Sequence, residues 1–141
     1  MNDLVSIIMP VYNNDEFLTE SINSVMRQTY QNFELLLVND NSTDDSFKIC
    51  KKLAILDSRI VLLNNSENVG PSITRNRGIR KAKGKYISFI DADDIYSPTL
   101  IEELVLNLEN NCAGISIVGY SYDFSNIKNN DNNANVQKYT S

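Results

Sequence analysis

Asp91-Ala92-Asp93-Asp94 stands directly behind an apolar run, Tyr86-Ile87-Ser88-Phe89-Ile90. With 11 aspartates in the chain, an Asp-x-Asp pair is expected about once by chance, so the placement carries the weight. Carboxylates crowded at a strand end repel one another unless a cation or hydrogen-bond donors balance them. A hard divalent ion, Mg²⁺ or Mn²⁺, suits them, held by one or two carboxylates and completed by phosphate oxygens. The alternative is a solvated acidic loop with Asp94 capping a turn. Asp40 follows Leu35-Leu36-Leu37-Val38 as a single acid. It either caps the next helix or accepts a hydrogen bond from a ring N–H of a base. Tyr12, two residues past Pro10, is placed to stack on a flat base, or else is a half-buried tyrosine. Arg75, Arg77, Arg80, Lys81, Lys83 and Lys85 form a basic run. Most of it reads as a solvated helix face, with Arg75 or Arg77 able to reach a diphosphate. No glycine-rich phosphate loop is present, so phosphates would be held by metal and arginine.

The elements that must position these groups alternate in type. Val5 to Met9 is a short buried strand stopped by Pro10. Leu18, Ile22, Val25 and Met26 then recur at helical spacing behind Asp15 and Glu16. Phe33 to Val38 is a second strand, and Ser42 to Asp45 is a capping cluster for a helix carrying Phe47, Cys50, Leu53 and Ala54. Arg59 to Leu63 is a third strand. A helix follows from about Pro71 to Ala82, with Gly84 behind it. Tyr86 to Ile90 is a fourth strand. Ser97 and Pro98 supply the cap and first residue of a helix through about Glu109, and Gly114 to Tyr120 is a fifth strand. This β-α alternation implies a parallel sheet flanked by helices. Ligands of such sheets sit beyond the carboxyl ends of the strands, where four polar clusters fall: Pro10 to Asn14, Asn39 to Asp44, Asn64 to Gly70 and Asp91 to Asp94. The segment from Ser125 onward holds six asparagines and reads as a loop or linker.

Composition removes several classes of function. The absence of histidine excludes His-based triads and imidazole metal sites. Cys50 and Cys112 are too few for a zinc cluster and read as buried small hydrophobes. A net charge of −5 disfavours nucleic-acid binding. No basic region precedes the first apolar run, and no stretch approaches the ~18 apolar residues of a membrane span. These features point to a cytoplasmic protein.

Six blocks in order resemble family 2 glycosyltransferases: Val5-Ser6-Ile7-Ile8-Met9-Pro10-Val11-Tyr12-Asn13, Ser24 to Leu35, Val38-Asn39-Asp40-Asn41-Ser42-Thr43-Asp44, Asn68-Val69-Gly70, Thr74-Arg75-Asn76-Arg77-Gly78-Ile79 and Ile90-Asp91-Ala92-Asp93-Asp94. The resemblance covers residue 4 to about 105. It implies an α/β, Rossmann-like GT-A fold that binds a nucleotide-diphosphate sugar. The donor-binding domain would occupy residues 1–123, with an Asn-rich loop or linker over 124–141. It also implies inverting, metal-dependent transfer of a sugar from a donor, favoured as a UDP-sugar, to a saccharide or other cell-surface polymer acceptor. Pro10, Val11 and Tyr12 would line the base pocket, and Asp40 would take the base N–H, which also suits guanine or thymine. Asn68 and Arg75 would border the nucleotide. Asp91, beside Ala92, would hold the ribose hydroxyls, and Asp93 would bind Mn²⁺ or Mg²⁺.

Asn39 stands where the family more usually has a second acid. The family's catalytic base and acceptor site lie well beyond the Asp-x-Asp, so the chain resembles a donor-binding part cut short. By itself it is expected to transfer sugar weakly or not at all. Peripheral association with the inner face of a membrane, and self-association, are compatible with this picture. The competing readings are a non-catalytic nucleotide-sugar-binding or interaction module, a nucleotidyltransferase and a phospho-acceptor receiver domain. The nucleotidyltransferase reading lacks its glycine-rich loop after the first strand. The receiver reading lacks an acid pair near the first strand and a lysine after the last.

Overall fold

The computed structural model of the chain describes residues 2–117. Eight elements alternate: β1 Val5–Val11, α1 Asp15–Met26, β2 Phe33–Asn39, α2 Ser46–Leu56, β3 Ile60–Asn64, α3 Pro71–Lys81, β4 Tyr86–Phe89 and α4 Leu100–Asn110. The strands form one sheet in the order β3-β2-β1-β4. Every pair is parallel, with Val5 opposite Phe33 and Tyr86, and Leu35 opposite Ile60. The chain winds outward from β1 to β3 and then returns to place β4 on the other side of β1. The crevice between β1 and β4 is therefore the point where the winding reverses, the usual ligand site of an open α/β sheet.

Because side chains alternate across a strand, β1 and β2 divide their residues between two cores. Ile7, Met9, Val11, Leu35 and Leu37 face Leu18, Ile22 and Val25 of α1, Cys50 of α2, and Ile101 and Val105 of α4. Ile8, Leu36 and Val38 form a smaller cluster with Val61 and Leu63 on the other face. There α3 packs so closely that a Cβ on Gly78 would meet the Ile8 side chain. Both faces of β2 are covered, hence its unbroken apolar run.

The amino end of the sheet is closed by a buried polar cluster. Ser6 Oγ donates to Glu34 Oε1 at 2.6 Å, which also accepts from the Lys83 amide at 2.7 Å. The Gly84 amide donates to Ser6 Oγ at 2.8 Å. A Cβ at Gly84 would lie 2.5 Å from the Ser6 nitrogen and 2.7 Å from the Leu4 carbonyl, so only glycine lets β4 enter here.

Three sequence expectations are corrected. The last helix starts at Leu100 with Thr99 as its cap residue, two residues later than Ser97-Pro98 suggested. Its cap comes from elsewhere: the buried Gln28 accepts the Ile101 amide at 3.0 Å through Oε1 and donates to the Ser97 carbonyl at 2.6 Å. The Ser97 carbonyl accepts from Gln28 and, in a turn, from the Leu100 amide at 3.2 Å, and the Pro98 carbonyl accepts the Thr29 amide at 2.9 Å; with the Ile101 amide held by Gln28, the segment stays outside the helix. Cys112 is exposed rather than buried, because it falls in a turn past the end of α4 with φ of 47°. Residues 114–117 are not a strand. The rest of the expected fifth strand, and the 124–141 linker, lie outside the described residues.

Candidate nucleotide-sugar site

The carboxyl ends of β1, β2 and β4 and the start of α3 surround an open cavity of about 480 Å³. All nine residues singled out from the sequence line it: Pro10, Val11, Tyr12, Asp40, Asn68, Arg75, Asp91, Ala92 and Asp93. Asn14, Gly70, Pro71 and Thr74 line it as well. These four were not picked out as site residues, although Thr74 adjoins Arg75 and Gly70 stands two positions past Asn68.

Two loops are cross-bonded to shape one wall. Asn13 Oδ1 accepts the Thr43 amide at 2.8 Å, and Ser46 Oγ accepts the Asn14 amide at 2.9 Å. Asp44 Oδ2 accepts the Asp15 amide at 3.1 Å and its Oδ1 the Ser46 amide at 2.9 Å. Burial alone would raise the Asp44 carboxyl, and these donors hold it below its usual value. Asn13 and Asn41 adopt φ of 50° and 57°, which asparagine tolerates better than most residues. Tyr12 projects from this wall with its side chain about half exposed.

Asp40 is buried at the end of β2. Its Oδ1 accepts from Asn65 Nδ2 at 2.7 Å and from the Val69 amide at 3.0 Å, and its Oδ2 from the Gly70 amide at 2.9 Å. Burial pushes its pKa up, but donors from Val69, Asn65, Gly70 and Thr74 outweigh that and hold the carboxyl below its usual value. Gly70 reaches it with φ of 85°, a conformation glycine adopts freely, and Pro71 then opens α3. Asp40 therefore does not cap α2; it fastens the β3–α3 loop against the sheet.

Across the cavity Arg75 pairs with Asp91 at 2.5 Å, both side chains remaining well exposed. Such a pair is worth only about 0–1 kcal/mol, so either partner can exchange the other for a ligand at little cost. Arg77 points away: its Nη1 donates to the Asn64 carbonyl at 2.6 Å and to Asn65 Oδ1. Of the two arginines considered for a diphosphate, only Arg75 faces the cavity. Asp93 is exposed. Burial, together with repulsion from Asp93 and Asp91, raises the pKa of Asp94. Among the described residues no three acids or thiols converge into a metal cage.

A parallel sheet with an open crevice at its reversal point, lined by an arginine and exposed acids, defines an α/β domain with a candidate ligand site. The family model for glycosyl transferase family 2 matches residues 6–140, and the chain belongs to that family. It is 38% identical over 126 residues to the glycosyltransferase GlyG of Streptococcus pneumoniae, covering 89% of this chain and 42% of that protein. It is 41% identical over 138 residues to WfgD of Escherichia coli, a UDP-Glc:α-D-GlcNAc-diphosphoundecaprenol β-1,3-glucosyltransferase, covering 96% of this chain and 50% of that one. The chain thus spans half or less of the length of these relatives. Among solved structures it resembles Staphylococcus aureus TarS in complex with UDP, with a TM-score of 0.72 and 27% identity over 77% of this chain and 33% of that one. Its fold also matches the Pyrobaculum calidifontis mannosyltransferase PcManGT, with a TM-score of 0.78 and 22% identity over 90% of this chain and 39% of that one.

Proposed function

We propose that this chain forms the donor-binding part of an inverting glycosyltransferase that moves a sugar from a UDP-sugar to a saccharide acceptor. The observation that carries the reading is the convergence of all nine expected residues on one cavity at the sheet's reversal point. The UDP-bound TarS structure and the name of WfgD support uridine as the base. The lipid-linked acceptor in WfgD's name supports work at a membrane surface. No described helix is long and apolar enough to cross one.

In this reading Tyr12 stacks on the base and Asp40 accepts its ring N–H. Asp91 releases Arg75 and takes the ribose hydroxyls, while Arg75 turns to the diphosphate. Asp93 is left as the metal ligand. With no three acids or thiols converging among the described residues, Asp93 does not make a standing metal site. It does fit Mg²⁺ or Mn²⁺ that arrives with the diphosphate and draws its other ligands from phosphate and water. When bound, such an ion neutralises charge on the departing diphosphate. With Asp40, Asp91 and Asp93 committed to the donor, the base that activates the acceptor comes from other residues.

The test is nucleotide binding by thermal shift, with and without Mn²⁺. UDP at 100 times its dissociation constant stabilises the parent by about 2.7 kcal/mol. Asp93→Asn is expected to lose the Mn²⁺-dependent part of that gain. Equal stabilisation of parent and variant by UDP and Mn²⁺ overturns the metal assignment.

A further inference from the structure

Asn65 is buried behind the cavity and was not singled out by any sequence motif. Its Nδ2 donates to Asp40 Oδ1 at 2.7 Å and to Thr74 Oγ1 at 3.1 Å. Arg77, which can only donate, is hydrogen-bonded to Asn65 Oδ1. This fixes which end of the amide faces Asp40. The arrangement controls how many hydrogen bonds Asp40 has left to offer.

An ionised carboxylate has about four acceptor positions. On Asp40, both positions of Oδ1 are filled, by Asn65 and by the Val69 amide. One position of Oδ2 is filled by the Gly70 amide. A single position remains on a residue that lines the cavity. Among the described residues the further donor acting on the carboxylate is the Thr74 hydroxyl, the weakest of the donors that lower the Asp40 pKa. A hydroxyl proton rotates away readily when a better donor arrives.

We infer that Asn65 is a positioning residue that limits Asp40 to one acceptor and so makes the site select a base with one ring N–H over a base with two adjacent donors. The inference rests on Asp40 reading the base, as proposed above. Uracil presents one N–H between two carbonyls and is satisfied by one acceptor. Guanine presents N1–H beside an amino group, a pair that wants both oxygens of a carboxylate. With Oδ1 already filled, the guanine amino group is desolvated without a partner.

Hypoxanthine separates this effect from ring size, because it is guanine without the amino group. Competition against UDP measures IDP and GDP on the parent chain and on Asn65→Ala. The parent is expected to favour IDP over GDP by about tenfold or more, the scale of one unsatisfied buried donor. Asn65→Ala removes one of the two donors that hold Oδ1 away from the ligand and lets the carboxylate turn that oxygen toward the base, so the IDP:GDP ratio should fall toward one. A general loosening of the fold would weaken both nucleotides alike and leave the ratio alone. If Asn65→Ala does not fold, Asn65→Val, which likewise has no donor, takes its place. Equal IDP and GDP binding by the parent overturns the proposal, as does an unchanged ratio in the folded variant. Failure of both purines to compete overturns it too, since ring size would then be the selector. The underlying reading fails separately: UDP and its N3-methyl derivative would bind the parent equally.

Discussion

Asp40 shows how a carboxylate is held ionised in a buried place. Its folded pKa lies below its unfolded value because four donors outweigh burial. The stability it contributes is therefore present above the unfolded pKa, near 4, and is lost as pH falls through the lower folded value. Asp40→Asn keeps the shape but turns an amide toward at least one N–H, so it is expected to destabilise the chain by about 1–3 kcal/mol at pH 7. Denaturation of parent and variant between pH 7 and pH 3 should show the difference shrinking at the acid end. A constant difference would mean the Asp40 charge is not what fastens the loop. Tyr12 is a contrasting residue, with 47% of its surface exposed. Tyr12→Ala should leave the free protein's melting temperature nearly unchanged and weaken UDP binding by about 1–3 kcal/mol, the scale of one lost base stack. Calorimetric titration with UDP checks both the size and the separation of the two effects.

Among the elements, α1 does more than cover the sheet. Its carboxyl end leads into Gln28, which is fully buried and bonded to Ser24, Ser97 and Ile101. Two other α1 side chains reach the same segment: Ser21 Oγ donates to the Asp91 carbonyl at 3.4 Å, and Ser24 Oγ accepts the Tyr96 amide at 3.0 Å. The segment carrying Asp91 and Asp93 is thus suspended between β4 and α1. Gln28→Ala removes the partner of the Ile101 amide and is expected to cost about 1–3 kcal/mol. Hydrogen exchange should locate the loss at residues 91–101. Uniform loosening of the whole sheet would contradict this role.

For the molecule as a whole, the two faces of the sheet are unequally covered. Among the described residues three helices back the larger core, while α3 alone covers the other face. Ile87 and Phe89 lie on the α3 side, in register with Ser6 and Ile8, and remain 43% and 47% exposed. Apolar residues at that exposure beside β4, an edge strand among the described residues, favour association. The 141-residue chain should therefore self-associate with rising concentration, and the pair Ile87→Thr, Phe89→Ser should suppress it. Sedimentation of parent and double variant decides the matter; a parent that stays monomeric at all concentrations refutes it.

The alternation of strand and helix, the parallel sheet and the cavity residues were legible in the chain itself. Each depends on local signals: the β-branched and leucine runs of β1 and β2, the helical spacing of Leu18, Ile22 and Val25, and polar clusters at the strand ends. What escaped depends on contacts between residues distant in sequence. The start of α4 is decided by Gln28, 73 positions before Ile101. Arg77 faces away from the cavity because the Asn64 carbonyl and the Asn65 amide capture it. Asn65 itself sits in a run of polar loop residues that no periodicity distinguishes. Its importance arises only when the parallel pairing of β2 and β3 brings it beside Asp40. Hydrogen bonding between distant buried groups is a property of the packed fold, because each partner is equally satisfied by water until the chain has closed around it.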